Sequence, residues 1–219
     1  MTLDPALHEP WRVVVPFKSM RHAKSRLEGT PGERRQLAIV MARDTLCAVA
    51  NAVNVTETVA VCSTHEDVES FTMPGVRVLV LDGLSLNDAI RTAEETVRGS
   101  SYFGSFAVLP GDLPYLRSSE LAVALGRAAG FPRAMVTDRW GEGTTLLTAT
   151  SGEPLSPAYG DRSALAHRHA GVVELEVPVW SGLRRDVDTV EDLALAPSLG
   201  FRTRRVLTER AGSLAEALS

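Results

Sequence analysis

Apolar residues recur along this chain in two alternating rhythms. Residues 11–17 are a run of aromatic and β-branched side chains, which reads as a first buried strand. From Pro31 the period lengthens: Leu37, Val40, Met41, Thr45, Leu46 and Val49 recur every three or four positions, the stripe of a long amphipathic helix with proline at its start. Residues 58–62 then read as a strand, 66–71 as a short helix and 77–81 as a strand. Over 86–97, Leu86, Ile90, Ala93 and Val97 share one helix face. Residues 106–109 form another buried strand. Ser118 or Ser119 can cap a helix carrying Leu121 and Leu125, 134–137 and 144–149 read as strands, and Thr189 can cap a helix to Leu195. This order predicts an α/β protein with a doubly wound, mostly parallel sheet.

Composition narrows the class. With 219 residues, 44% hydrophobic and 23% charged, the chain can bury one substantial core, and no repeat or long linker marks a second domain. A formal net charge of -4 argues against generic nucleic-acid binding, which needs a dominant positive field. Cys47 and Cys62 are too few for a zinc framework and fit a reducing cytoplasm. No signal-peptide pattern and no bilayer-length apolar run is present, so neither export nor a membrane partner is expected. Arg202, Arg204, Arg205 and Arg210 read as a solvated basic end.

The candidate chemistry lies at strand ends. Val108-Leu109-Pro110-Gly111-Asp112 is a strand that stops at proline, then a glycine that permits close approach, then a carboxylate. In an open α/β sheet that edge is where ligands gather. After Pro16 the first strand gives way to Lys18, Arg21, Lys24 and Arg26, four cations suited to triphosphate oxygens. Asp186 and Asp188 share a side if extended, and Asp188 is the better partner for Asp112 in holding Mg²⁺, which takes few carboxylates and keeps waters and substrate oxygens. Asp188 as a simple helix cap is the alternative. A Walker loop, a dinucleotide fingerprint and a nucleophile elbow are all missing. His167 and His169, two apart in a helix, read as solvent-facing.

Six blocks in order carry a resemblance: Pro16-x-Lys18 with Ala23-Lys24-Ser25-Arg26-Leu27; Leu86-Asn87-Asp88-Ala89-Ile90; Pro110-Gly111-Asp112-Leu113-Pro114; Asp138-Arg139 with Gly143-Thr144; Tyr159-Gly160-Asp161-x-Ser163; and Arg185-Asp186-Val187-Asp188-Thr189. Together they resemble the guanylyltransferases of coenzyme F-420 biosynthesis, which activate phosphoenolpyruvate or 2-phospho-L-lactate with GTP. The usual Gly-Gly first loop of sugar-nucleotide and molybdenum-cofactor relatives is missing, which favours the narrower family.

The resemblance implies a Rossmann-like, three-layer nucleotidyltransferase domain over residues 11–200, with extensions at 1–10 and 201–219. It implies GTP as donor, Mg²⁺ as cofactor and a phosphorylated three-carbon acid as acceptor, with a functional link to the next transferase of the pathway. Lys18, Lys24, Asp112 and Asp188 would be catalytic, with Asp112 and Asp188 on the metal. Pro16, Lys18, Lys24, Arg26, Asn87, Asp88 and Gly111 would meet the nucleotide, Asn87 and Asp88 at its ribose or base. Thr144, Gly160 and Ser163 would bind the acceptor. An Arg/Ala/Gly-rich composition fits an actinobacterial source and puts phosphoenolpyruvate first, with 3-phosphoglycerate a further option. A sugar-phosphate or cofactor nucleotidyltransferase, and an inactive binding module, remain the alternatives.

Overall fold

A computed structural model of the protein describes residues 10–17, 29–99, 104–189, 191–193 and 198–217. Among these, seven strands make one sheet: β1 (Trp11–Pro16), β2 (Val55–Cys62), β3 (Val76–Val80), β4 (Ser105–Val108), β5 (Arg133–Thr137), β6 (Thr144–Ala149) and β7 (Val173–Glu174). Their spatial order is β3-β2-β1-β4-β6-β5-β7. β1 pairs in parallel with β2 and β4, β2 with β3, and β5 with β7, while β6 runs antiparallel to β4 and β5. The sheet is thus mixed and mostly parallel, as the sequence predicts.

The helices are α1 (Pro31–Ala50), α2 (Val68–Phe71), α3 (Leu86–Arg98), α4 (Ser118–Ala128), α5 (Ser163–His169) and α6 (Phe201–Ala217). Side chains alternate across the strands with period two. Trp11, Val13, Val15, Ala107 and Leu109 pack with residues of α1, α2 and α4. Val14, Val59, Val61, Phe106 and Val108 face the other way, onto Ala89, Ile90 and Ala93 of α3. Helices on both faces are what make the strand runs almost wholly apolar.

From β1 the chain winds outward through β2 to β3, then returns by α3 to β4 on the other side of β1. The strand order therefore reverses between β1 and β4. A crevice opens at the carboxyl ends of two strands related in this way, which fixes where a ligand can sit.

Helix starts follow capping chemistry, with one correction. Thr30 and Glu33 form a reciprocal capping box at α1, with Glu33 N–H donating to Thr30 Oγ1 at 3.3 Å and Thr30 N–H to Glu33 Oε2 at 2.7 Å. At α4 the N-cap position is Arg117, not Ser118 or Ser119, because Glu120 reaches back to accept the Arg117 N–H at 3.1 Å. The cap is thus made by a carboxylate at the third helical position acting on the backbone of the N-cap residue, not by a serine hydroxyl acting on the first turn.

The basic end is also not a solvated tail. α6 packs on α1, burying Thr203 and Val206. Asp44 of α1 supplies its cap from outside the helix: its carboxylate accepts the N–H of Arg202 at 3.2 Å, the N–H of Thr203 at 2.8 Å and the Thr203 hydroxyl at 2.8 Å. Arg204 and Arg205 are exposed, whereas Arg202 pairs with Asp44 and Arg210 donates to Glu33 O, so half of the basic set faces α1.

Candidate active site

Both strands at the reversal end against α1 and α2. Phe17 follows β1, its N–H donating to Val61 O at 2.7 Å, and its ring stacks on Phe71 with centroids 4.1 Å apart. Lys18, Lys24 and Arg26, expected at the triphosphate, lie outside the described residues, as does Arg21. Beyond β4, Leu109 N–H still donates to Val14 O at 3.2 Å, then Pro110 ends the ladder. Thr45 of α1 fixes the turn that follows. Its Oγ1 accepts the Leu113 N–H at 3.1 Å and lies 3.2 Å from Gly111 O.

A second segment is pinned alongside. Val187 N–H donates to Asp112 O at 3.0 Å, which lays residues 186–188 against the β4 turn. Gly182 packs on the Tyr115 carbonyl so closely that a Cβ would stand 2.0 Å from that oxygen. Arg184 bridges to the end of β5, donating to Thr137 O at 3.1 Å, Asp138 O at 2.7 Å and Val177 O at 3.1 Å. Asp192 accepts the N–H groups of Asp188 and Thr189 at 2.9 and 2.8 Å. Asp192 organises a 3₁₀ turn, Glu191–Leu193, after Thr189; the expected helix to Leu195 falls partly on residues 190 and 194–197, which lie outside the described residues.

The result is a group of carboxylates that repel one another. Burial, then the charges of Asp112, Asp188 and Asp138, push the Asp186 carboxyl up to about 7. Asp188, the sequence's choice, is the more exposed of the pair, and Asp186 joins it rather than being displaced by it. Asp138 has a different task. Its carboxylate accepts the N–H groups of Trp140 at 2.9 Å, Glu142 at 3.0 Å and Gly143 at 2.7 Å, shaping the β5–β6 loop.

The three acceptor-loop candidates come together beside that loop. Thr144 starts β6 and Ser163 starts α5; both are buried, and Thr144 N–H donates to Ser163 Oγ at 3.0 Å. Gly160 is exposed at φ 152°, with open space where a Cβ would stand. His167 corrects the sequence reading: it is fully buried, with Nδ1 2.9 Å from Thr144 Oγ1 and Nε2 accepting the Ala158 N–H at 3.0 Å. His169 is exposed as expected. Four residues between His167 and Ser163 put both on the inner face of α5, and that spacing was the legible signal.

Asn87, expected at the ribose or base, is held by backbone contacts. Both ends of its amide are engaged with Tyr159, donating to its carbonyl at 2.9 Å and accepting its N–H at 2.8 Å. Asp88 pairs with Arg91 at 2.6 Å and with the Ser85 hydroxyl at 2.5 Å, capping α3 at an exposed position. Among the described residues no helix is long and apolar enough to cross a membrane.

A mostly parallel sheet with one antiparallel strand, and carboxylates at its reversal point, defines the fold of the nucleotide-diphospho-sugar transferases. A putative nucleotide-diphospho-sugar transferase from Desulfovibrio desulfuricans superposes with a TM-score of 0.70 at 17% identity, covering 94% of this chain and 97% of that one. 4-Diphosphocytidyl-2C-methyl-D-erythritol synthase does so with a TM-score of 0.57 at 14% identity over 91% and 99%. Within that class the sequence is specific. The family described as "Guanylyl transferase CofC like" matches residues 11–196, and the chain belongs to it. Phosphoenolpyruvate guanylyltransferase of Streptomyces scabiei is 41% identical over 201 residues, 89% of this chain and 93% of that protein.

Proposed function

We propose that this chain transfers a guanylyl group from GTP to phosphoenolpyruvate, giving enolpyruvoyl-2-diphospho-5′-guanosine and pyrophosphate for coenzyme F-420 biosynthesis. The observation that carries the reading is the convergence of Asp112, Asp186 and Asp188 at the sheet reversal of a chain in the guanylyltransferase family. An oxygen of the acceptor phosphate attacks the α-phosphorus of GTP in line. The bond from that phosphorus to the oxygen bridging the β-phosphate breaks, the electron pair leaves with pyrophosphate, and a new phosphoanhydride forms.

This chemistry asks for no activated serine, cysteine or histidine, since a phosphate monoester is already a nucleophile. It asks for two polyanions to be held together. Lys18, Lys24 and Arg26 follow β1 in sequence, and in this reading they receive the triphosphate. Pro16 ends the strand that precedes them, and Gly111 lets the turn carrying Asp112 lie against the Phe17 ring.

The acidic residues fit Mg²⁺. Burial and then the neighbouring carboxylates push the Asp186 carboxyl up to about 7; a divalent cation relieves the repulsive part, and hard oxygens are its preferred donors. Among the described residues no cluster of three or more side chains encloses a cation by itself, so substrate phosphates and water would complete the shell. Asp112 and Asp188, with Asp186 behind them, would hold the ion, which when bound spreads the charge developing on α-phosphate and pyrophosphate. Thr144, Gly160 and Ser163 then border the acceptor, and the activated product passes to the next transferase of the pathway.

The test is pyrophosphate release with GTP, Mg²⁺ and each of phosphoenolpyruvate, 2-phospho-L-lactate and 3-phosphoglycerate, with ATP, CTP and a sugar 1-phosphate as controls. Release is expected with GTP and phosphoenolpyruvate. Release only with a sugar phosphate, or with no acceptor at all, overturns the reading. Lys18→Ala and Lys24→Ala should raise the GTP KM far more than they lower the melting temperature.

A further inference from the structure

The buried contacts of His167 determine where its proton resides. Nε2 accepts the Ala158 N–H at 3.0 Å, so that nitrogen carries no hydrogen. The neutral ring then has its proton on Nδ1 and donates it to Thr144 Oγ1, 2.9 Å away. The edge of the ring also meets Tyr159, with centroids 5.4 Å apart.

A proton count follows. Thr144 Oγ1 lies 3.3 Å from Ser163 Oγ, and the two hydroxyls hold two protons between them. One proton bridges the pair. The other has no carbonyl or carboxylate to receive it among the described residues, because the remaining contacts, His167 Nδ1–H and Thr144 N–H, are both donors. Had Nδ1 been the acceptor, Thr144 would donate to the ring and Ser163 to Thr144, and both protons would be spent. Asp161 and Arg162, between Gly160 and Ser163, are exposed, so the pair sits just inside an open loop.

We infer that His167 is a positioning residue: by its tautomer it makes the Thr144–Ser163 pair a hydrogen-bond donor to an anionic oxygen of the acceptor. This rests on the guanylyl-transfer reading above. Ala158 is the residue that sets the tautomer, through its backbone N–H.

Two measurements test it. In protein labelled with ¹⁵N-histidine, His167 should show a protonated Nδ1 and an unprotonated Nε2 at neutral pH; the opposite tautomer overturns the inference without reference to activity. His167→Leu leaves the pair its spare proton but removes the donor that fixes Thr144 Oγ1 and so aims that proton; it should raise the acceptor KM by about tenfold to a hundredfold, the range for a lost hydrogen bond to a charged group, and change the GTP KM by less than about twofold. His167→Asn, whose amide N–H can stand near the place of Nδ1, should recover much of that loss. If the leucine variant does not fold, Ala158→Pro, which removes the N–H and fixes φ but leaves the imidazole in place, should both scramble the tautomer and raise the acceptor KM. No acceptor-dependent release by the unaltered protein sinks the guanylyl-transfer reading itself. Normal release with KM values that rise together, or not at all, sinks only the role of His167.

Discussion

The ring of Phe17 fills the space in which residue 111 would carry a side chain: a Cβ on Gly111 would stand 1.8 Å from Phe17 Cε1. The ring cannot swing aside, because it is buried and stacked on Phe71. Gly111→Ala must therefore push apart the turn that carries Asp112 and the aromatic pair beneath it. Overpacking of this kind costs about 1–3 kcal/mol. The expected result is a lower melting temperature together with a loss of pyrophosphate release that persists at temperatures where the variant is folded. Phe17→Leu in the same chain should restore part of the stability. An alanine variant that melts and turns over normally would show that the turn has slack the structure does not reveal.

Asp186 is a case where stability and activity should move in opposite directions. Burial and three neighbouring carboxylates work against its charge, so Asp186→Asn removes repulsion that the folded protein otherwise bears. Without divalent cation at neutral pH the variant should melt at or above the temperature of the parent. Its pyrophosphate release should nevertheless fall steeply, as should that of Asp112→Asn and Asp188→Asn, because an amide cannot supply charge to Mg²⁺. Thermal melts and the release assay on the three variants check this; an Asp186→Asn protein that is both less stable and fully active would make the residue structural.

The strands and the long helices were legible because their signals are local. Period two on a buried sheet and period near four on α1 and α3 follow from side chains a few residues apart, and Pro31 marks a helix start on the same short range. β7 was not legible: two exposed residues at an edge carry no alternation. The site divided in the same way. Asp112 and the Asp186–Asp188 pair could be read from strand-end chemistry, but the residues that hold them act at a distance. Thr45 was taken for one more member of an apolar stripe, although it alone in that stripe carries a hydroxyl; its partner, the Leu113 N–H, is 68 positions on. Asn87 reads as a nucleotide contact because it opens a helix beside the crevice; that its amide also matches the backbone of Tyr159, 72 positions away, has no local signal.

Asp44 offers a test of how α6 is attached. It accepts the N–H groups of Arg202 and Thr203 and the Thr203 hydroxyl, and pairs with Arg202 at 3.3 Å. Asp44→Ala leaves the first turn of α6 without these partners, a loss of about 1–2 kcal/mol by capping alone. Denaturant unfolding should show that loss, and hydrogen exchange should quicken first in the amides of α6. Pyrophosphate release should fall with it, because Gly200 N–H at the start of α6 donates to Pro114 O at 2.7 Å and Leu207 packs in one cluster with Val187, between the site carboxylates. Fast exchange spread evenly through the protein would mean that α6 is integral to the core rather than clasped to it.

The buried His167 gives the protein a definite response to acid. Burial, with a smaller contribution from the charge of Arg133, holds its imidazole down to about 4, against about 6.5 in an unfolded chain. Because the folded value is the lower one, protons bind preferentially to the unfolded state between pH 6.5 and 4. Stability is unaffected by this group above that window and declines through it as the pH falls, by about 3 kcal/mol when complete. Other groups titrate nearby: Asp186 is raised and favours the folded state as it takes up a proton, while Asp192 and Asp88 are lowered and act in the opposite sense at lower pH. Comparing the parent with His167→Gln cancels those terms, because both proteins carry them. The difference in unfolding free energy between the two should narrow steadily from pH 7 to pH 4, as the parent loses stability that the glutamine variant has no proton site to lose. A difference that stays constant over that range would mean the imidazole takes up its proton equally well in both states, and the buried neutral histidine would have to be abandoned.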